Sequence, residues 1–240
     1  MVRLADGHDI AALARAYKAS GRVHIPHFLM EDDAATMHRS LRERTDWNQV
    51  LTTGSGYVEL DRATRAGLNA DRVQALDEAV YAQARTGFQY RYETIRIADH
   101  NAERSASADP VAHFAQWMSH GEGRDFLRAV TGADDIRFAD AQATAYSPGD
   151  FLTGHDDQVT GKARRAAYVF GLTPVWRLEW GGLLLFHSAD GHVQSGLVPS
   201  LNSLNLFAVP QMHSVSEVTR AAAYRRYAVT GWLRTEDPPV

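Results

Sequence analysis

The chain has 240 residues, enough for one large domain with a substantial core. Its 25 Lys and Arg against 29 Asp and Glu give a formal charge of −4, so no global basic field draws nucleic acid and no direct nucleic-acid partner is expected. It contains no cysteine, which excludes disulfides, thiolate catalysis, zinc ribbons and iron–sulfur clusters and leaves His, Asp and Glu as the strong side-chain metal ligands.

The first twenty residues carry charges throughout and lack an apolar stretch, so no signal peptide is expected. No apolar run approaches the length of a membrane span. The expected setting is the cytoplasm, without membrane attachment. Residues 9–20 have the spacing of an amphipathic helix closed by Gly21. Arg22 to Leu29 reads as a short strand, and 31–44, with acidic residues in its first turn, as a second helix. Strand and loop are expected over 46–60, and a helix over 69–85 behind Asn69 as N-cap. Phe88 to Ile97, rich in aromatic and branched residues, reads as a strand. The polar stretch 98–109 is expected to be a mobile loop, followed by short helices near 110–119 and 122–131.

From Ile136 the texture changes to short β-like runs separated by Gly, Pro and Asp: 136–146, 151–156, 165–173, 182–187, 192–198, 203–209, 212–218 and 225–234. Eight such runs suit an antiparallel jelly roll. The expected class is mainly β with N-terminal helices (α+β), the helices packed on one sheet. The expected organisation is a single domain over 1–234, with 1–135 as helical and strand support, 136–234 as the jelly-roll core and 235–240 as a flexible tail.

Within that core lies the run Tyr146-Ser-Pro-Gly-Asp-Phe-Leu-Thr-Gly-His155-Asp-Asp157. About one His-x-Asp triplet is expected by chance in a chain with this many His and Asp. Position raises its weight. On a β-like run His155 and Asp157 point to one face, while Asp156 points away and reads as structural. His213 lies on a separate run two hairpins later, and a jelly roll brings such distant strands together. Two imidazoles and one carboxylate on one face of a metal leave three coordination positions open, an arrangement suited to non-haem iron. The other histidines lack a comparable partner set and read as surface or satisfied groups.

Arg226 lies in RRYAVTGWLR, whose alternating apolar residues mark a buried strand. A buried arginine needs an anion, and its planar fork fits a carboxylate. Thr230 shares the face and can donate a hydroxyl to the same anion, and Trp232 can wall the pocket. Arg225 is the alternative inward residue, but Arg226, Ala228, Thr230 and Trp232 form the more consistent face.

These segments resemble the prolyl 4-hydroxylase-like branch of the iron(II)- and 2-oxoglutarate-dependent dioxygenases, most closely the catalytic domain of ribosomal-protein prolyl hydroxylases of the Ofd/Tpa type. The resemblance runs through HDDQVTGKARRAAYVFGLTPVWRLEWGGLLLFHS from His155, LVPSLNSLNLFAVPQMHSVSEV from Leu197 and RYAVTGWLR from Arg226. It implies a double-stranded β-helix with His155, Asp157 and His213 as iron ligands and Arg226 on the distal carboxylate of 2-oxoglutarate. It further implies Tyr146, Thr230 and Trp232 around that co-substrate and Arg164 or Arg165 at the substrate mouth. Iron(II), 2-oxoglutarate and O2 are the implied cofactors, with ascorbate in support. A prolyl residue of a protein or peptide is the implied substrate, with a free amino acid or small metabolite as the runner-up. The loops 46–60 and 98–109 are candidates for a lid. An intact Asp157 argues against a halogenase, and the competing class is a non-catalytic cupin-like binding module. Two departures stand out. Gly171 replaces a tyrosine frequent at that point, and the sequence ends soon after Trp232, where the resembling proteins carry a second, non-catalytic domain.

Overall fold

The computed structural model describes residues 2–53 and 56–236. Among these, the helices are α1 (Ile10–Ser20), α2 (Glu31–Glu43), α3 (Arg62–Ala66), α4 (Ala70–Ala84), α5 (Asn101–Ala106), α6 (Pro110–Ser119) and α7 (Gly121–Thr131). The strands are β1 (Arg22–Pro26), β2 (Asn48–Thr53), β3 (Gly56–Asp61), β4 (Tyr90–Arg96), β5 (Phe138–Ala139), β6 (Gln142–Tyr146), β7 (Phe151–His155), β8 (Arg164–Leu172), β9 (Leu184–His187), β10 (Val193–Leu197), β11 (Leu201–Ala208), β12 (His213–Val215) and β13 (Arg226–Arg234).

Local chemistry sets the helix ends. The Asp9 carboxylate accepts the Ala12 amide to start α1, and Gly21 stops it at φ +70°. Asn69 caps α4 in the same manner through Arg72. The segment 98–109 is not a loop throughout, because it contains α5. The cause is Arg104, fully buried, which donates to the carbonyls of Ala98, Ala115 and Ala139 and so ties this turn to α6 and β5.

Strands β6 to β13 divide between two sheets, changing sheet at every step except from β9 to β10. The larger runs β1-β11-β8-β13-β6-β4 and continues through β2 to β3, and the smaller runs β7-β12-β9-β10. All pairings are antiparallel. This is a jelly roll. The expected 136–146 run divides into β5, paired with the end of β13, and β6. β4 pairs with β6 over one stretch and with β7 over another, joining the sheets along one edge.

The two faces of the larger sheet bury different things, as a period of two requires. One face presents Ala143, Tyr168, Phe170, Leu206 and Val229 to Phe28, Phe114 and Phe126 from the helical layer. The opposite face presents Ala167, Val169, Phe207 and Ala228 to Leu184 and Phe186 of the smaller sheet. Helix α4 lies apart from the main helical layer and packs Val80 against Leu51 and Phe151. Residues 237–240 of the expected tail lie outside the described residues. Among the described residues no helix is long and apolar enough to cross a membrane.

Candidate active site

His155 closes β7 and His213 opens β12, and the two are direct partners across that antiparallel pair. Their ring centroids lie 4.1 Å apart. Each Nδ1 faces a backbone carbonyl two residues earlier: Thr153 at 3.0 Å for His155 and Gln211 at 2.8 Å for His213. A carbonyl only accepts, so each Nδ1 carries a proton and each Nε2 is turned toward the site. Both Nε2 atoms point at Asp157, 3.4 Å from one carboxylate oxygen each.

Asp157 reaches this place through an unusual backbone. It follows the end of β7 with φ +63°, a left-handed conformation that costs a non-glycine residue roughly 1 kcal/mol and that Asp tolerates better than most. Burial opposes its charge. Hydrogen bonding to His155 and the electrostatic pull of both histidines outweigh that penalty and hold the carboxyl below its ordinary range. Burial, reinforced by neighbouring His155, pushes His213 down to about 4. The set is two imidazoles and a carboxylate, with its ligand atoms within 4.8 Å of one another. It is the donor set that non-haem iron takes, and the residues fit such an ion. Asp156 accepts the Gln158 amide in the turn and takes no part.

The three residues open onto a cavity of about 170 Å³ between the sheets. Arg226, Thr230 and Trp232 line it from β13, and Tyr146 from β6. Arg226 is 4% exposed, its guanidinium 4.8 Å from the Tyr146 ring centre. Burial pulls its pKa down, and among the described residues its Nε has no hydrogen-bond partner and no carboxylate forms an ion pair with it. A buried cation without a protein anion is the counterpart of an external one. Thr230 accepts from the Gln142 amide at 3.4 Å, leaving its own hydroxyl hydrogen free. These groups fit 2-oxoglutarate, whose distal carboxylate needs a cation and a donor.

Arg225 points the other way, to buried Glu93 behind the sheet. The two remaining candidates separate. Arg165 is exposed and paired with Asp135 away from the cavity. Arg164 turns inward, onto Trp232 and the Asp157 backbone. At Gly171 a side chain would collide with the Ser200 carbonyl, and the neighbouring space holds the Ser200–Ser203 hydroxyl pair at 2.5 Å.

Sequence reasoning did not single out Phe88, Tyr92, Gln142 or Thr144, all of which line the cavity. The signal for two of them was present. Phe88, Tyr90 and Tyr92 alternate on one strand face and form a ladder with ring spacings of 5.6 and 5.7 Å. Tyr92 then stacks on Tyr146 at 5.0 Å, and Phe88 lies 5.5 Å from the His155 ring. Other histidines are satisfied elsewhere: His187 on Ser214, His24 on Asn205 and His38 on the Leu172 carbonyl.

Residues 141–234 match the family model described as the 2OG-Fe(II) oxygenase superfamily. Mouse prolyl 3-hydroxylase OGFOD1 is 34% identical over 117 residues, 46% of this chain and 21% of that protein, so the chain spans about a fifth of that relative's length. Among solved structures, a prolyl-4-hydroxylase from Pseudomonas putida is similar with a TM-score of 0.60, 19% identity and coverage of 94% of this chain and 98% of the other. A Trichoplax adhaerens prolyl hydroxylase in complex with a hypoxia inducible factor peptide gives a TM-score of 0.57, 13% identity and coverage of 94% and 89%. The α-ketoglutarate-dependent epimerase SnoN of nogalamycin biosynthesis gives 0.55, 12% identity and coverage of 93% and 81%. At these identities the structural likenesses establish the fold. The family match falls on the segment that carries His155, Asp157, His213 and Arg226.

Proposed function

We propose that this protein is an iron(II)- and 2-oxoglutarate-dependent oxygenase that hydroxylates a prolyl residue of a protein or peptide. The observation that carries the reading is Arg226: among the described residues this buried guanidinium meets no protein anion, and it opens into the same cavity as two imidazole Nε2 atoms and a carboxylate. The peptide substrate is supported by the mouse prolyl 3-hydroxylase and by the Trichoplax structure with its bound peptide fragment. The catalytic unit proposed is 1–234, with the jelly roll holding the chemistry and the N-terminal part supporting the larger sheet. A cytoplasmic setting belongs to the same proposal, since a reducing compartment keeps iron ferrous.

Iron(II) held by His155, Asp157 and His213 would supply, with 2-oxoglutarate and oxygen, the oxidising power to hydroxylate an unactivated C–H bond. The protein's own part is positioning. The Thr153 and Gln211 carbonyls lock both imidazoles in one tautomer. Arg226 and Thr230 would orient the co-substrate by its far carboxylate. Phe88, Tyr92 and Trp232 would wall off water and present flat apolar faces to a pyrrolidine ring. The β2–β3 hairpin, with Tyr57 exposed, is the proposed cover over a bound peptide.

The test is succinate release with iron(II), ascorbate and 2-oxoglutarate, with a panel of proline-containing peptides read by mass spectrometry. Wild type is compared with Asp157→Ala and Arg226→Ala. The expected result is succinate from wild type alone and one added oxygen on a prolyl residue. Oxygen added only to free amino acids would replace the peptide reading. No succinate, with ligand binding indifferent to Asp157→Ala, would replace the enzyme with a binding module.

A further inference from the structure

Asp157 holds a left-handed backbone at the start of a loop, 156–163. Within that loop the Gln158 amide turns back onto the Asp156 carboxylate, and the Lys162 amide onto the Val159 carbonyl. Both bonds are local, and the Gln211 amide holds the near side of Asp157 by donating to the Asp156 carbonyl at 3.3 Å. The far side is tied to the sheet by a side chain. Arg164, the first residue of β8, donates from Nη1 to the Asp157 carbonyl at 2.7 Å.

The Arg164 fork is itself fixed. Its guanidinium carbon lies 3.7 Å from the centre of the Trp232 ring, close enough for the two planar groups to lie in contact. Trp232 is fixed in turn, its amide donating to the Asp140 carboxylate at 2.7 Å. The chain of contacts therefore runs from Asp157 through Arg164 and Trp232 into β13, the strand that also carries Arg226 and Thr230. Arg165 beside it is exposed and engaged with Asp135, so it has no share in this arrangement.

We propose that Arg164 is a positioning residue for metal binding, clamping the Asp157 backbone so that its carboxylate meets both histidine Nε2 atoms. This rests on the reading of His155, Asp157 and His213 as a metal site. It departs from the role of substrate contact that the family resemblance implies for this position, because the guanidinium face is already covered by an indole. Lysine at 164 would keep the charge but lose both the flat face and the fixed fork.

The test is titration of the metal-free protein with Co(II), following its ligand-field absorption, on wild type, Asp157→Ala, Arg164→Lys, Arg164→Gln, Trp232→Phe and Arg165→Ala. Asp157→Ala sets the reference: if wild type binds no more tightly than this variant, the metal-site reading itself fails. Given wild-type binding, Arg164→Lys and Arg164→Gln are expected to weaken Co(II) by about 10- to 100-fold, the range for removing a group that orients a metal ligand. The absorption band is expected to change shape as the carboxylate loses its fixed approach. Trp232→Phe, which shrinks the face under the guanidinium, is expected to weaken Co(II) by less than the Arg164 variants do, and Arg165→Ala is expected to bind within about twofold of wild type. Thermal melting of each metal-free variant separates a folding defect from a loosened site, and Trp232→Phe supplies a second probe of the stack if an Arg164 variant does not fold. Co(II) affinity and spectrum unchanged in a folded Arg164→Lys protein would overturn the proposal, as would an equal loss in Arg165→Ala.

Discussion

Arg226 and Tyr146 are direct partners on adjacent strands, and the guanidinium of the first lies over the ring of the second, 4.8 Å from its centre. The ring shields the cation from solvent without neutralising it. Tyr146 is held well above its ordinary pKa by burial, so it remains a neutral phenol beside the charge. The pair stores an unfulfilled demand for an anion.

That demand makes the empty protein less stable than it need be. Arg226→Met keeps the bulk and removes the buried charge. The variant is expected to gain about 1 to 3 kcal/mol in urea unfolding without ligand. It is also expected to lose the rise in melting temperature that 2-oxoglutarate gives the wild type. Equal or lower stability of Arg226→Met would mean that Arg226 has an anionic partner within the protein.

Asp157→Asn separates the shape of the metal site from its charge. Asparagine accepts the left-handed backbone as readily as aspartate, so the fold is expected to persist with a melting temperature within a few degrees of wild type. Metal affinity is expected to fall by at least about tenfold, a size already reached when only a ligand's surroundings are disturbed. Isothermal titration with Mn(II) measures it.

Asp140 gives a pH dependence from a group outside the His155, Asp157 and His213 set. Burial first, and the nearby negative charge of Asp99, raise it to about 6, against the lowering effects of the Trp232 amide and of Arg164 and Arg234. A carboxyl with a raised folded pKa binds its proton more tightly in the native state. Its contribution to stability is therefore complete below about pH 4 and is lost as the pH climbs through about 6. Two pKa units correspond to about 2 to 3 kcal/mol. Asp140→Asn retains an oxygen for the Trp232 amide, so it is expected to match wild type near pH 4 and to exceed it in stability at pH 7 to 8. Chemical unfolding across that range gives the comparison, and parallel curves for the two proteins would exclude the effect.

Arg104 tests the scaffold rather than the site. It is fully buried, and its donors serve Ala98, Ala115, Ala139 and Ser119. Arg104→Lys cannot reach all four, and is expected to lower stability by about 3 kcal/mol. Metal affinity of the folded fraction is expected to stay at the wild-type value, because the bonds of Arg104 go to Ala98, Ala115, Ala139 and Ser119 and not to His155, Asp157 or His213.

How much of this was legible in the sequence depended on whether the deciding contact is local. The period of two on β13 separates Arg226 from Arg225, and the structure turns the first into the cavity and the second onto Glu93. The same period places His155 and Asp157 on a common side, although Asp157 completes its approach through a turn rather than through a continuing strand. The capped helices α1 and α4 follow from Asp9, Gly21 and Asn69. Helix α5 did not show, because the bonds that order it come from residues up to 35 positions away. Gln142 and Thr144 escaped notice for a similar reason. Nothing in QATAY marks a pocket wall until β13 and β4 lie on either side of it. Arg164 and Arg165 are indistinguishable as adjacent letters, and only Trp232, 68 positions on, draws the first one inward.

The jointed edge at β4 has a consequence for how the molecule breathes. One side of this strand is taken by β2, and the other is divided between β6, through Thr94 and Thr144, and β7, through Tyr90 and Leu152. Freeing it means unzipping both halves of the roll at once. Its amides should therefore be among the slowest to exchange with deuterium, and any transient widening of the mouth must come from the β2–β3 hairpin swinging on a fixed post.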